Sequence, residues 1–515
     1  MKGTCLSLLW AVSLTGCIEN WLHGDQDEPD DGKPPLQDSD PRLRDTEAVD
    51  TQPPPCDEVW EDTTADLVEV CPGAAEDLGE LVTTWRTDER ATPHWNLSTL
   101  RRQDSDGDGS LGPGDTMCLM VETQALDPTE NAFVLLDHQG AQQGAELGQG
   151  YRTSATSFEQ DTPTPGEESF ISYYDWGHGP SWLGRFDGDQ AGWAVSFDDG
   201  DPGASTPWPA DLDGDGAAEL LLRAKIFAAA DGALTAELEG LHDRGVYQTI
   251  AADLDLDGVQ ELIVATSVAE GVRVHEADGS LRATCRTESE LNHGSELAIG
   301  NLDDDEQGEI VAAGDGRVTI CKADGTTVAE TAYDSEEPCM VGIGQLDWDG
   351  AHEILVADYQ GITAFDTDLS VLWSFSVPST SGWQWHPFTL ADLDRDGLHE
   401  VLVSVEEWLV ILDSDGSELA RHPTTHCASW HASPLVADID ADGLAEIVIT
   451  GLEGVDLVEN TAGGWRVPGS DATHPSYRHY PGDRTATGAL PSPGTHHWLD
   501  PATNVWQGEA RVVEF

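Results

Sequence analysis

Positive charge is what this chain lacks most. Lys and Arg total 24 against 97 Asp and Glu in 515 residues, a formal net charge of -73. Such a field repels phosphates and anionic headgroups, and no basic patch offsets it, which disfavours nucleic acid as a partner. Cysteine is sparse, and no CxxC pair occurs, which argues against a thiol redox enzyme or a zinc ribbon. GxSxG and HExxH are absent too, so no familiar nucleophile or zinc-hydrolase motif is visible. Beyond the N-terminus there is no long apolar run, so no spanning helix is expected. Hydrophobic residues still make up 39%, enough for a core, so the acidity does not signal wholesale disorder. Gly 53 and Trp 18 fit a turn-rich, aromatic-rich β protein better than a helical one.

What is present is an acidic pattern that returns. Residues 252–266 read A-D-L-D-L-D-G-V-Q-E-L-I-V-A-T, with Asp253, Asp255 and Asp257 alternating, a glycine next, and Glu261 closing the set. A loop turning about a hard cation brings every second side chain inward, and Gly258 permits a backbone that a Cβ would oppose. Full copies stand at Asp211, Asp213, Asp215 with Glu219; at Asp392, Asp394, Asp396 with Glu400; and at Asp438, Asp440, Asp442 with Glu446. Two copies are degraded: Asn301, Asp303, Asp305 with Glu309, and Gln345, Asp347, Asp349 with Glu353. A short apolar strand follows each, and first positions recur with a period in the forties, the mark of a repeat architecture.

One unit shows the blade. Residues 247–252 form a first strand, 261–266 a second, 271–276 a third and 281–285 a fourth, with a hairpin turn at Ala277-Asp278-Gly279-Ser280. That turn returns at 323–326 and 414–417. Four strands in a repeated forty-residue unit describe an all-β protein of β-propeller type. An earlier loop, Asp104, Asp106, Asp108, Ser110 and Asp115, fits EF-hand spacing, but Pro113 and the strands expected at 117–121 and 132–136 make it an early blade instead. Residues 141–209 are read as either an insertion or a worn blade.

These D-L-D-x-D-G-x-x-E units resemble the FG-GAP/VCBS repeats of integrin α-subunits and many bacterial surface proteins, over roughly residues 209–460. The resemblance implies a β-propeller of seven or eight four-stranded blades with calcium-binding loops between first and second strands. The implied ligands are the alternating carboxylates and closing glutamate of each loop, with one backbone carbonyl. Asn301, Gln345 and Glu306 depart from the pattern, so those two sites are expected to be weak or empty.

Outside the repeats, residues 1–17 resemble a bacterial lipoprotein signal, with Lys2, an apolar stretch and Leu14-Thr15-Gly16-Cys17, making Cys17 the expected lipidation site. Residues 18–55, rich in Asp, Glu and Pro, are expected to be a disordered acidic linker. The propeller is placed at 56–460, and the aromatic-rich segment 461–515 either closes the ring or packs as an appendage. Setting aside Cys5 and Cys17 leaves an odd number of cysteines, with Cys56 and Cys71 the first pairing expected.

Oxygen-only loops favour Ca2+, several ions in structural roles, over zinc or copper. At ten times its dissociation constant each ion adds about 1.4 kcal/mol, and several approach the roughly 5–15 kcal/mol margin of a domain. The reading is a surface lipoprotein of the bacterial cell envelope, at the outer membrane or cell surface. Its propeller binds a protein or glycan without catalysis, and its only membrane contact is a lipid anchor. The alternatives are a polysaccharide lyase or hydrolase on a propeller scaffold and a purely structural envelope protein. Trp383, Trp385 and His386, with His426, Trp430 and His431, precede successive loops and form a candidate ligand face; the competing account is that such tryptophans fill gaps between blades.

Overall fold

The computed structural model describes most residues from 81 to 460, in segments that include every strand below, together with His496 and Leu499. Strand β1 (Leu81–Arg86) comes first in sequence but pairs last. Blade 1 is β2 (Thr99–Arg102), β3 (Met117–Thr123), β4 (Ala132–Leu136) and β5 (Gln142–Leu147). Blade 2 is β6 (Arg152–Phe158), β7 (Glu168–Tyr174), β8 (Ser181–Asp187) and β9 (Gln190–Phe197). Blade 3 is β10 (Trp208–Ala210), β11 (Glu219–Leu222), β12 (Lys225–Ala228) and β13 (Leu234–Glu237). Blade 4 is β14 (Val246–Ala252), β15 (Glu261–Thr266), β16 (Gly271–His275) and β17 (Leu281–Cys285). Blade 5 is β18 (Glu296–Gly300), β19 (Glu309–Gly314), β20 (Arg317–Cys321) and β21 (Thr327–Ala332). Blade 6 is β22 (Pro338–Gly344), β23 (Glu353–Asp358), β24 (Gly361–Phe365) and β25 (Val371–Ser376). Blade 7 is β26 (Phe388–Ala391), β27 (Glu400–Val405), β28 (Trp408–Leu412) and β29 (Glu418–Pro423). Blade 8 is β30 (Leu435–Ala437), β31 (Glu446–Gly451) and β32 (Gly454–Asn460), completed by β1.

All eight sheets are four-stranded antiparallel meanders, and the fold is an eight-bladed β-propeller. First strands of successive blades lie against one another, as β14 on β18, β18 on β22 and β22 on β26. Second strands such as ELIVAT in β15 and EILVAD in β23 are buried throughout, which is why they are continuous apolar runs without alternation. Fourth strands such as VLWSFS mix exposed and half-buried residues. Their polar faces suit an outer edge that must not recruit another strand.

The stretch 141–209, undecided from sequence, contains β6 to β9, an intact blade whose core is Phe158, Phe170 and Leu183. Ring closure falls to the N-terminal side: β1 pairs with β32, Leu81 opposite Asn460 and Arg86 opposite Asp456. Arg86 clamps the fully buried Asp456 through both carboxylate oxygens. From blade 8 to blade 1, Met117 N–H donates to Ile439 O at 2.8 Å. A disulfide joins Cys285 of β17 to Cys321 of β20, tying blade 4 to blade 5. The expected Cys56–Cys71 pair lies outside the described residues.

Tryptophans of the outer strands clasp the following blade. Trp85, Trp193 and Trp373 each donate their indole N–H to a carbonyl in the next blade's third-to-fourth turn: His138 O at 2.7 Å, Ala229 O at 3.0 Å and Ser414 O at 2.8 Å. Gly416, at φ +80°, leaves room for the Trp373 ring, which a Cβ would meet at 2.6 Å. Gap-filling between blades is thus what these tryptophans do. Trp373→Ala is expected to cost about 3 kcal/mol, the low end for truncating a large aromatic at a packed site. Thermal unfolding reads this, and an unchanged melting temperature would show the clasp carries no weight.

Candidate metal centres in the blade loops

In six blades the closing glutamate is the first residue of the second strand: Glu219, Glu261, Glu309, Glu353, Glu400 and Glu446 open β11, β15, β19, β23, β27 and β31. Each turns its Oε2 back onto the loop's own backbone. It accepts the N–H of Leu212 (3.1 Å), Leu254 (2.9 Å), Leu302 (2.9 Å), Leu393 (2.6 Å) and Ile439 (2.7 Å), and that of Leu346 likewise. The loop is held closed from the other side too. Asp253 accepts from Asp257 N (3.0 Å) and Gly258 N (2.8 Å), and Asp211 and Asp392 accept from Gly216 and Gly397 at 3.1 Å each. Gly258 sits at φ +89°, the left-handed backbone that its place in the motif anticipates.

This folding gathers carboxylates. One oxygen each from Asp253, Asp255 and Glu261 lies within 4.8 Å of the others, and the same holds for Asp211, Asp213 and Asp215; for Asp303, Asp305 and Glu309; for Asp347, Asp349 and Glu353; and for Asp392, Asp394 and Glu400. Asp257 and Asp396 spend one oxygen on the backbone N–H of Val259 and Leu398. Asn301 Oδ1 accepts from Asp303 N, and Gln345 turns its side-chain amide onto Asp347 O. In the last loop Asp438 is buried and Asp440 exposed, while Asp442 lies outside the described residues. So do Asp104, Asp106, Asp108, Ser110 and Asp115, whose segment joins β2 to β3, and so does Cys17. Of the candidate ligand face, Trp383, Trp385, His426, Trp430 and His431 are also outside. His386 is fully buried just before β26, inside the molecule rather than on an open face.

Burial, reinforced by the neighbouring aspartates, raises the closing glutamates to about 7 at Glu219, Glu261 and Glu309 and to about 9 at Glu353. Glu400, buried completely, is also raised well above its ordinary value by that burial and by Asp394 and Asp392. At Glu309, Glu353 and Glu400 the second oxygen, Oε1, is buried with no hydrogen-bond partner among the described residues, and of these three only Glu309 Oε1 has a basic group, Lys322 Nζ at 3.4 Å, recorded in an ion pair with it. An orphaned carboxylate oxygen facing further carboxylates suits a hard divalent cation, and the donor set is all oxygen, which fits calcium.

Several neighbours of the loops escaped sequence reasoning. Arg282 reaches Asp255 and Glu261, Lys322 reaches Asp303, Asp305 and Glu309, and His496 Nε2 lies 3.0 Å from Asp253 Oδ2. Asp366 and Asp413, each just after a third strand, add their field to blades 6 and 7. Between those blades lies a cavity of about 280 Å³ walled by Trp348, Trp373, Leu372 and Leu398, with Asp396 and Asp413 at its edge.

No protein-family model matches the chain, and no curated protein matches it. Among solved structures it is similar to the V. cholerae biofilm matrix protein Bap1, with TM-score 0.65 and 13% identity over 85% of this chain and 100% of that one. The Dos1 propeller (TM-score 0.46, 8% identity, 75% of this chain and 98% of that one) is a more distant likeness. So is the dihydro-heme d1 dehydrogenase NirN (TM-score 0.43, 12% identity, 85% and 80%). At this identity the Bap1 likeness establishes the propeller fold.

A pH dependence follows for the ion-free protein. The glutamates are raised above the ordinary glutamate value of 4.5, so folding favours their protonated form. Their contribution is then most favourable below about 4.5 and is lost as pH rises through about 7, and through about 9 for Glu353. In chelator, the melting temperature of the wild type should fall more steeply between neutral pH and pH of about 9 than that of Glu353→Gln, whose side chain no longer titrates. Parallel curves would remove Glu353 from the account.

Proposed function

We propose that this chain is a lipid-anchored protein of the bacterial cell envelope whose calcium-stabilised propeller binds a protein or glycan without transforming it. One observation carries the calcium half of the reading: the closing glutamate is spent the same way in every loop. One oxygen fixes the backbone while, at Glu353 and Glu400, the other is buried without a hydrogen-bond partner among the described residues. Asp347, Asp349 and Glu353 would hold one ion, and Asp392, Asp394 and Glu400 another, with the Asp211 group a further candidate. The ion would supply charge neutralisation at the root of the second strand and so stiffen the loop face.

The binding half is supported by the cavity between blades 6 and 7. Indole and leucine surface lies beside carboxylates there, the mixture suited to a sugar face or a cationic side chain. Bap1, a biofilm matrix protein, has the same propeller architecture and is compatible with a role in surface attachment. Attachment through Cys17 and an extended acidic linker would present the propeller away from the membrane.

Retention on immobilised matrix polysaccharides and surface proteins tests this reading. The expected result is saturable binding in calcium, weakened at least about tenfold (about 1.4 kcal/mol) by Trp348→Ala and by chelator, with no soluble product released. Release of shortened saccharide would replace the binding module by an enzyme, and absence of retention on every surface would favour a purely structural envelope role.

A further inference from the structure

The loops look alike in sequence, but their charge is balanced in two different ways. In blade 4, Arg282 lies on the fourth strand and sends Nη1 to Glu261 Oε1 at 2.7 Å and Nη2 to Asp255. Asp253, the third carboxylate of that group, faces His496 at 3.0 Å. In blade 5, Lys322 follows the third strand and places Nζ 2.8 Å from Asp303, 2.5 Å from Asp305 and 3.4 Å from Glu309 Oε1. A single ammonium thus contacts all three gathered carboxylates. In blade 4 the oxygen left over by the glutamate's backbone bond accepts from Arg282, and in blade 5 Glu309 Oε1, without a hydrogen bond among the described residues, is ion-paired with Lys322 at 3.4 Å.

Blade 6 is built otherwise at the same positions. The turn hydrogen bond that Lys322 N makes to Thr326 O is made by Asp366 N to Ser370 O, so Asp366 stands where blade 5 has its lysine. By the same turn count, Leu372 stands where blade 4 has Arg282. Blade 6 therefore adds a fourth carboxylate to Asp347, Asp349 and Glu353. Glu353 is fully buried, and its Oε1 has no hydrogen-bond partner among the described residues. Blade 7 repeats this pattern with Asp413 and Leu419, and with Glu400 Oε1 buried and likewise without a partner.

We infer that Arg282 and Lys322 take the place of a divalent cation in blades 4 and 5, so that those loops carry their own counter-charge while the loops of blades 6 and 7 take up the ion. This rests on the calcium reading above and refines it, because motif completeness stops being the guide. The full-copy loop at Asp253 becomes ion-independent, and the degraded loop around Gln345 becomes an ion site. A lysine or arginine within three carboxylates supplies attraction without the dehydration a divalent ion requires. It also blocks the ion sterically and by like-charge repulsion.

Calcium titration of the full chain by calorimetry, with folding checked by circular dichroism, tests the assignment. Lys322→Asp, which gives blade 5 the residue that blade 6 has, should bind one more calcium ion per chain than the wild type, and Lys322→Gln should behave in the same direction. Glu353→Gln should bind one fewer. If Glu353→Gln loses an ion while both folded Lys322 variants keep the wild-type count, the substitution idea is overturned and the calcium reading stands. If neither binds calcium, the calcium reading itself fails; if both bind the same nonzero number, blade 6 is not an ion site and the assignment by counter-charge is overturned. Should the Lys322 variants unfold, Asp366→Lys supplies the reverse test, since installing the base in blade 6 should abolish one site; an unchanged count there would also overturn the idea.

Discussion

In six of the eight blades the second strand begins with a glutamate that satisfies only half of itself within the protein backbone. Its Oε2 holds the start of the loop, as in the Leu254 N–H to Glu261 bond, and this fixes the path by which the first strand turns into the second. The other oxygen is then forced toward the alternating aspartates. Burial, with crowding by the aspartates, raises Glu219, Glu261, Glu309, Glu353 and Glu400 above their ordinary range, so the folded ring carries a standing electrostatic cost wherever no cation faces them. Whatever provides that cation also sets how firmly the first and second strands are joined.

The rest of the ring is held mostly by apolar contacts. Fully buried second strands form the middle of each blade, and apolar clusters run from blade to blade, as from Ile263 and Val274 to Ile310 and Val341. Outer strands grip the next blade through indole rings laid over turn glycines. Closure through β1 and β32 adds the Arg86–Asp456 pair, bidentate and with the carboxylate fully buried, which keeps the first described strand from peeling away. The acidic loops therefore act on an already cohesive apolar ring, and they lie where connecting segments are free to carry recognition.

Much of this was legible because the loop motif and the strand after it are specified locally. Alternating acidic residues and a glutamate directly ahead of an apolar run locate the first-to-second connection in six blades, with a left-handed glycine at Gly216, Gly258, Gly350 and Gly397, and the observed strands of blade 4 fall within a residue of those read from sequence. Blade 2 was not legible because strands such as RTSATSF and QAGWAVSF mix polar and small residues, and no acidic loop marks their joins. Ring closure was hidden for another reason: LVTTWR in β1 belongs to a blade whose other strands lie more than three hundred residues away. The basic residues at the loops were missed although a signal existed. Aligning the turns on their Asp-Gly pair puts Glu276, Lys322 and Asp413 in one column, with Asp366 at the same point of the Asp-Leu turn, and a lone lysine among acids there is informative. Sequence showed which loops keep the motif, whereas only the fold shows which side chain from the opposite hairpin reaches into each.

The most direct test of the central claim is thermal unfolding of the chain in millimolar calcium and in excess chelator at a pH of about 8, well above the ordinary carboxylate range. The account predicts a clear rise in melting temperature with calcium, growing with the logarithm of its free concentration as mass action requires. Coincident curves at every concentration would mean that the gathered carboxylates are balanced without an ion, and the calcium assignment would fall.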